Sequence, residues 1–110
     1  MAAAEYAASH PNAFEGIVFL AAYPHTDLSG SGLAALSIVG SNDGIVRYGN
    51  YEGSRALLPE NARERVIEGG NHAGFGDYGA QLGDMEATIA SDEQQAISTD
   101  EIASLIDDLL

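Results

Sequence analysis

The 110-residue sequence contains no cysteine and no lysine. The absence of cysteine excludes a disulfide framework, a thiolate zinc site and a cysteine nucleophile within these residues. The absence of lysine leaves four arginines against 17 acids, a formal net charge of −13. A surface of that sign repels phosphate backbones and anionic lipid, so neither nucleic acid nor a membrane is an expected partner. No apolar run approaches the roughly 20 residues of a membrane span, and the N-terminus lacks the basic flank of a signal peptide. Yet 45% of the residues are hydrophobic, too many for a disordered acidic tail. A chain of this size buries about two thirds of its unfolded surface, enough for a modest core.

The charge is unevenly spread. Residues 1–46 carry four acids and no base, and all the arginines (Arg47, Arg55, Arg63, Arg65) fall in the central stretch. Ten acids follow Arg65 without a further cation, which reads as a solvated acidic face. There is no internal repeat or low-complexity linker, so the chain is treated as one unit.

Met1 to His10 is alanine-rich and stopped by Pro11, a helix by propensity but without a residue to cap its start. Gly16–Ala22 and Ala35–Gly40 are apolar runs without alternation, as expected of strands covered on both faces of a parallel sheet. Arg65–Glu68 reads as a third strand, and Tyr51–Leu58 as a short helix closed by Pro59. Ser98-Thr99-Asp100-Glu101 has the form of a capping box opening a last helix, whose apolar stripe is Ile102, Leu105, Ile106 and Leu109. This order is α/β with right-handed crossovers. It is also short of partners. The Gly16–Ala22 strand has the composition of a central strand, but no earlier segment could pair with it, and such an edge invites pairing with another copy of the chain.

In α/β proteins functional groups collect where loops leave the C-terminal ends of parallel strands. The exits here are Tyr23-Pro24-His25, Ser41-Asn42-Asp43-Gly44 and Gly69-Gly70-Asn71-His72. An aspartate and a histidine at consecutive exits can meet over the sheet edge. The carboxylate then fixes the imidazole tautomer, leaving the other ring nitrogen as a general base. Asp43 and His72 are therefore the candidate catalytic pair. Tyr23 and Phe75 are candidate substrate-binding residues, with Tyr78 beside Phe75. Ser31, between Gly30 and Gly32, sits in a flexible loop rather than a strand-to-helix elbow, and Ser41 and Ser54 read as turn and helix residues. His10 reads as a helix end and His25 as a surface loop. No His-x-x-x-His pair, acidic calcium loop or phosphate-cradling loop is present, so neither a metal nor another cofactor is expected.

The order strand, Gly40-Ser41-Asn42-Asp43-Gly44, helix, Leu58-Pro59, strand, Gly69-Gly70-Asn71-His72 resembles the C-terminal half of an α/β-hydrolase. The segment from Ile67 through Gly79, with Gln81-Leu82-Gly83-Asp84 and Glu93-Gln94-Gln95, is similar more narrowly to the bacterial α/β hydrolase fold-5 family, relatives of dienelactone hydrolases and carboxylesterases. The resemblance implies a three-layer, mostly parallel sheet, with residues 1–110 as the C-terminal part of a single domain. It also implies that Asp43 and His72 are the acid and base of a Ser-His-Asp triad acting on a small acyl or ester substrate. One element of the family pattern is missing. No serine has glycine both two before and two after it, as a nucleophile elbow requires. The expected fold is accordingly partial, without the N-terminal strands and the elbow. Met1 would follow the missing serine closely, as an internal methionine or the start of a fragment, and the chain alone is expected to be inactive. The alternative is a truncated or pseudo-enzyme domain that persists as an oligomerising, structural unit.

Overall fold

The computed structural model describes residues 6, 8–10, 15–46, 48–76 and 79–110. Of the helix expected over 1–10, residues 6, 8 and 9 are helical and His10 lies just past the helical residues; residues 1–5 and 7, with Pro11 and Tyr78, lie outside the described residues.

Strand β1 (Gly16–Leu20), β2 (Ala34–Gly40) and β3 (Arg63–Ile67) form one sheet in the order β1-β2-β3, with both pairings parallel. The unbroken apolar run of β2 places it in the middle, buried at every position after Ala34. Its side chains alternate between two covered faces. On one, Leu36 and Ile38 join Ile67 and Leu105, flanked by Ile97 and Ile102 of the long helix α2 (Ser91–Leu109). On the other, Val39 packs with Val46 and with Tyr51 of the short helix α1 (Tyr48–Gly53), beside a cluster of Phe19, Leu28 and Leu33. Each fully buried aliphatic or aromatic side chain of this kind contributes roughly 1.5–3 kcal/mol. Ser37, buried in mid-strand, is satisfied by the Tyr51 hydroxyl at 3.0 Å. The result is a three-layer α/β arrangement.

The edge strand β3 gathers the three arginines that are described. Arg63 and Arg65 point to the α2 side, pairing with Asp108 and, at 3.2 Å, with Glu101. Glu64, between them, points to the opposite side and is held by Arg55 through two bonds of 2.9 Å. Such exposed pairs add little stability singly, but their alternation ties each outer layer to the strand.

Several boundaries differ from the sequence expectation. The last helix starts at Ser91, with Ala90 in the N-cap position and no side-chain cap. Ser98 is therefore interior and buried, its hydroxyl donating 2.9 Å to the Gln94 carbonyl one turn back, and the Ser98–Glu101 capping box is not formed. Of the expected stripe, Leu105 is buried, while Ile106 and Leu109 are exposed. Strand β1 stops at Leu20 because Ala21 turns to φ 52°, keeping one last bond from its N–H to the Ile38 carbonyl. Strand β3 begins two residues earlier than expected and ends before Glu68. The short helix likewise starts earlier, at Tyr48, and tightens into a 3₁₀ turn over Ser54–Leu57. As expected, β1 lies at the edge of the sheet, and β2 is the middle strand among the described residues. Among the described residues β1 pairs on one side only, and its terminal Leu20 is exposed. No described helix is long and apolar enough to cross a membrane.

Candidate functional site

The loop leaving β2 turns at once, with the Asp43 N–H donating to the Gly40 carbonyl at 3.2 Å. This turn drives the Asp43 side chain inward, where it is fully buried. One carboxylate oxygen, Oδ1, accepts the N–H groups of Ile45 and Val46, both at 2.8 Å. Those bonds hold the side chain against its own loop and leave Oδ2 pointing across to the next strand exit.

The loop leaving β3 turns through Gly69, whose φ of 78° is ordinary only for glycine. The two loops are stitched together. The Asn42 N–H donates to the Gly70 carbonyl at 2.8 Å, and the Gly69 N–H donates to the Ser41 hydroxyl at 2.8 Å. His72 follows at the start of a 3₁₀ turn, Ala73–Phe75, and its Nδ1 lies 2.9 Å from Asp43 Oδ2. A carboxylate only accepts, so this bond takes its proton from Nδ1, and in the neutral ring the lone pair then sits on Nε2. The His72 ring remains partly exposed, 26% against 0% for Asp43. A histidine so held has its tautomer set by the bond, a second ring nitrogen free of that bond, and a buried carboxylate to stabilise an imidazolium.

The alpha/beta hydrolase family matches residues 1–96 of this chain. The chain belongs to that family. No curated protein and no solved structure matches it.

The remaining residues of this α/β hydrolase sort around the pair. Tyr23 packs with Val39, Val46 and Tyr51 on the α1 side of the sheet. It lines a cavity of about 390 Å³ together with Pro24, His25, Asn50, Ser54 and Leu57. Its hydroxyl accepts a long bond of 3.5 Å from the Asn50 carboxamide, and the His25 ring stands edge-on to it at 5.3 Å. Phe75 packs instead on the α2 side, against the Leu36, Ile38, Ile67 and Leu105 cluster. The two aromatic candidates thus lie on opposite faces of the sheet rather than as two walls of one pocket.

The serines weighed from sequence are engaged elsewhere. Ser31 accepts the Leu33 N–H at 3.2 Å, Ser41 accepts that of Gly69, and Ser54 donates to the Tyr51 carbonyl at 2.7 Å. Among the described residues no serine is bonded to the His72 ring. No three His, Asp or Glu side chains among them converge as a metal site would require.

Two residues without an assigned role in the sequence reading hold the site. Gln94, fully buried on α2, accepts the Asn71 N–H at 3.1 Å and donates to the Asn71 carbonyl at 2.7 Å. Its carboxamide pairs with that backbone as a neighbouring strand would, one residue before His72. Gly74 is glycine for the same reason, since a Cβ there would overlap the Gln94 carboxamide. Asp84 accepts backbone N–H groups from both loops. Burial would push its carboxyl up, but the N–H groups of Gly44, Ala73, His72 and Met85 outweigh it and hold the group below its usual value. Both residues fall in segments that resemble the family pattern. Only contacts distant in sequence reveal what each does.

Proposed function

We propose that the chain supplies the acid and base of a carboxylic-ester hydrolase of the Ser-His-Asp type, with the nucleophile serine coming from outside these 110 residues. The observation that carries this reading is the 2.9 Å bond from His72 Nδ1 to the buried Asp43, formed between loops at adjacent parallel strand exits. His72 Nε2 takes the serine proton as the serine oxygen attacks the ester carbonyl. Backbone N–H groups hold the resulting oxyanion. The imidazolium, steadied by Asp43, then gives its proton to the departing alkoxide, releasing the alcohol and leaving an acyl-serine. Water, deprotonated by the same nitrogen, attacks the acyl group, and the acid leaves as the serine recovers its proton. The likeness to dienelactone hydrolases and carboxylesterases gives small acyl esters as the substrate class, with Tyr23 and Phe75 as candidate contacts.

The test begins with the DNA upstream of Met1. An in-frame Gly-x-Ser-x-Gly within a few codons is expected, and the longer product should hydrolyse a nitrophenyl ester. That activity should disappear in His72→Ala and fall on the order of 10⁴-fold in Asp43→Asn. The 110-residue chain alone should show no turnover and no fluorophosphonate labelling. Hydrolysis by the purified chain that vanishes in His72→Ala would overturn the external nucleophile. An upstream stop codon with a genuine ribosome site would favour the non-catalytic, oligomerising domain.

The outer edge of β1 supports a second part of the proposal, that the isolated chain associates with another copy through that strand. Its outer backbone, unpaired among the described residues, and the exposed Leu20 form a pairing edge. Light scattering after size exclusion should report a dimer or larger, and a stable, soluble monomer would refute it.

A further inference from the structure

Asp84 lies outside every helix and strand, on an irregular stretch that crosses both site loops. Its Oδ1 accepts the N–H of Gly44 at 3.0 Å, of His72 at 3.2 Å and of Met85 at 3.0 Å, while Oδ2 accepts that of Ala73 at 2.9 Å. Gly44 directly follows the acid Asp43, and Ala73 directly follows the base His72. One side chain thereby grips the backbone beside both members of the pair. The residues on the other side of each are gripped by the same stretch. Asn42 donates through its carboxamide to the Glu86 carbonyl at 3.1 Å, and Asn71 donates likewise to the Met85 carbonyl at 2.9 Å. The Thr88 N–H closes the row on the Gly69 carbonyl at 2.8 Å.

We propose that Asp84 is a positioning residue for the Asp43–His72 pair, its carboxylate setting the separation and orientation of the two loops that carry them. The proposal builds on the catalytic reading of that pair and adds a residue that touches neither reacting ring nor substrate. The chemistry favours an ionised carboxylate specifically. Two carboxylate oxygens offer about four acceptor sites, which matches the number of N–H groups that converge here. A carboxamide offers one acceptor oxygen and turns N–H donors of its own either toward the Ala73 N–H, which Oδ2 accepts, or toward the three N–H groups gathered on Oδ1. The bonds act on loop tips, while the sheet and its apolar clusters are built from other residues, so loss of Asp84 should loosen the pair before the fold.

The experiment is ¹⁵N NMR of the histidine rings at neutral pH, with amide hydrogen exchange, on the 110-residue chain and its Asp84→Asn and Asp84→Glu variants. In the unsubstituted chain His72 should show a dominant Nδ1–H tautomer with a low-field, protected Nδ1 proton. In Asp84→Asn that proton should broaden into exchange and the tautomers mix. The Gly44, His72 and Ala73 amides should exchange about tenfold faster or more, while β2 amides keep their rates. Asp84→Glu, which keeps the charge on a longer arm, should fall between. If Asp84→Asn fails to fold, the same readings on Asp84→Glu decide. The proposal is overturned if a folded variant leaves the Nδ1 proton and these amides unchanged. It is equally overturned if β2 and β3 amides accelerate as much as the loop amides, or if both variants unfold, since Asp84 would then hold the fold rather than the pair. In the longer, active product, Asp84→Asn should lower kcat about 10²-fold with KM little changed. Activity that survives His72→Ala would refute the catalytic reading and leave the NMR result standing. A His72-dependent activity with unaltered NMR in the Asp84 variants would refute only the positioning role.

Discussion

Replacing Gln94 by leucine tests whether the histidine loop is held from α2. The side chain is 0% exposed, and both of its polar atoms are spent on the Asn71 backbone, at 3.1 and 2.7 Å. Leucine fills a similar volume, so no large cavity opens, but the Asn71 N–H and carbonyl lose their partners together. Each stranded polar group costs about 1–3 kcal/mol, and the added apolar burial returns about 0.8 kcal/mol per methylene equivalent, leaving a net loss near 3 kcal/mol. At about 4 °C per kcal/mol for a domain of this size, Tm should fall by roughly 12 °C. Urea unfolding followed by far-ultraviolet circular dichroism measures the free energy directly, with an unchanged m-value showing that both chains expose the same surface. Glu93→Gln, an exposed change one residue away, serves as the control and should leave stability within about 0.5 kcal/mol. A Gln94→Leu chain as stable as the control would refute the argument, because the Asn71 backbone would then be satisfied without α2.

Four further outcomes are expected. Gly74→Ala should destabilise the chain by about 1–3 kcal/mol in the same urea assay, since its Cβ overlaps the Gln94 carboxamide and forces that buried pair apart. Ser98→Ala should be neutral or stabilising within about 0.5 kcal/mol, whereas a helix N-cap at this position would lose about 1 kcal/mol, so thermal melts separate an interior serine from a cap. Asp43→Asn should move the His72 proton from Nδ1 to Nε2, because a carboxamide can donate to Nδ1; ¹H–¹⁵N correlation of the ring reads the tautomer. The carboxyl of Asp84 is depressed in the fold, so its contribution is present above the unfolded value near 3.8 and is lost as the pH falls through the lower folded value. The extra protection of the Gly44, His72 and Ala73 amides in the unsubstituted chain over Asp84→Asn, read by hydrogen exchange, should therefore hold from neutral pH to about 4 and shrink below it.

The parallel α/β layering was legible in the sequence because β2 is apolar without alternation, a pattern that only a strand covered on both faces tolerates. Asp43 and His72 were legible as candidates because turn-forming residues follow each apolar run and place a carboxylate and an imidazole at neighbouring exits. Helix boundaries were less readable. Ser98 to Glu101 satisfies the local pattern of a cap, yet the helix runs through it, since Ser98 can bond back to the Gln94 carbonyl instead. The open side of β1 was legible too, because the run is apolar enough for two covered sides and no earlier segment could pair with it; among the described residues it pairs with β2 alone.

Composition alone determined that the chain is acidic, free of thiol chemistry and apolar enough to fold, and local pattern determined its α/β class and its acid and imidazole candidates. Tertiary structure alone decided that these two groups meet at 2.9 Å, that Tyr23 and Phe75 face away from each other across the sheet, and that Gln94 and Asp84 hold the loops. The division has a physical reason. Burial periodicity is written into consecutive residues, whereas Asp84 reaches Gly44 across 40 positions. A hydrogen bond of that span has no local signature; it exists only once the sheet has brought its strand exits together.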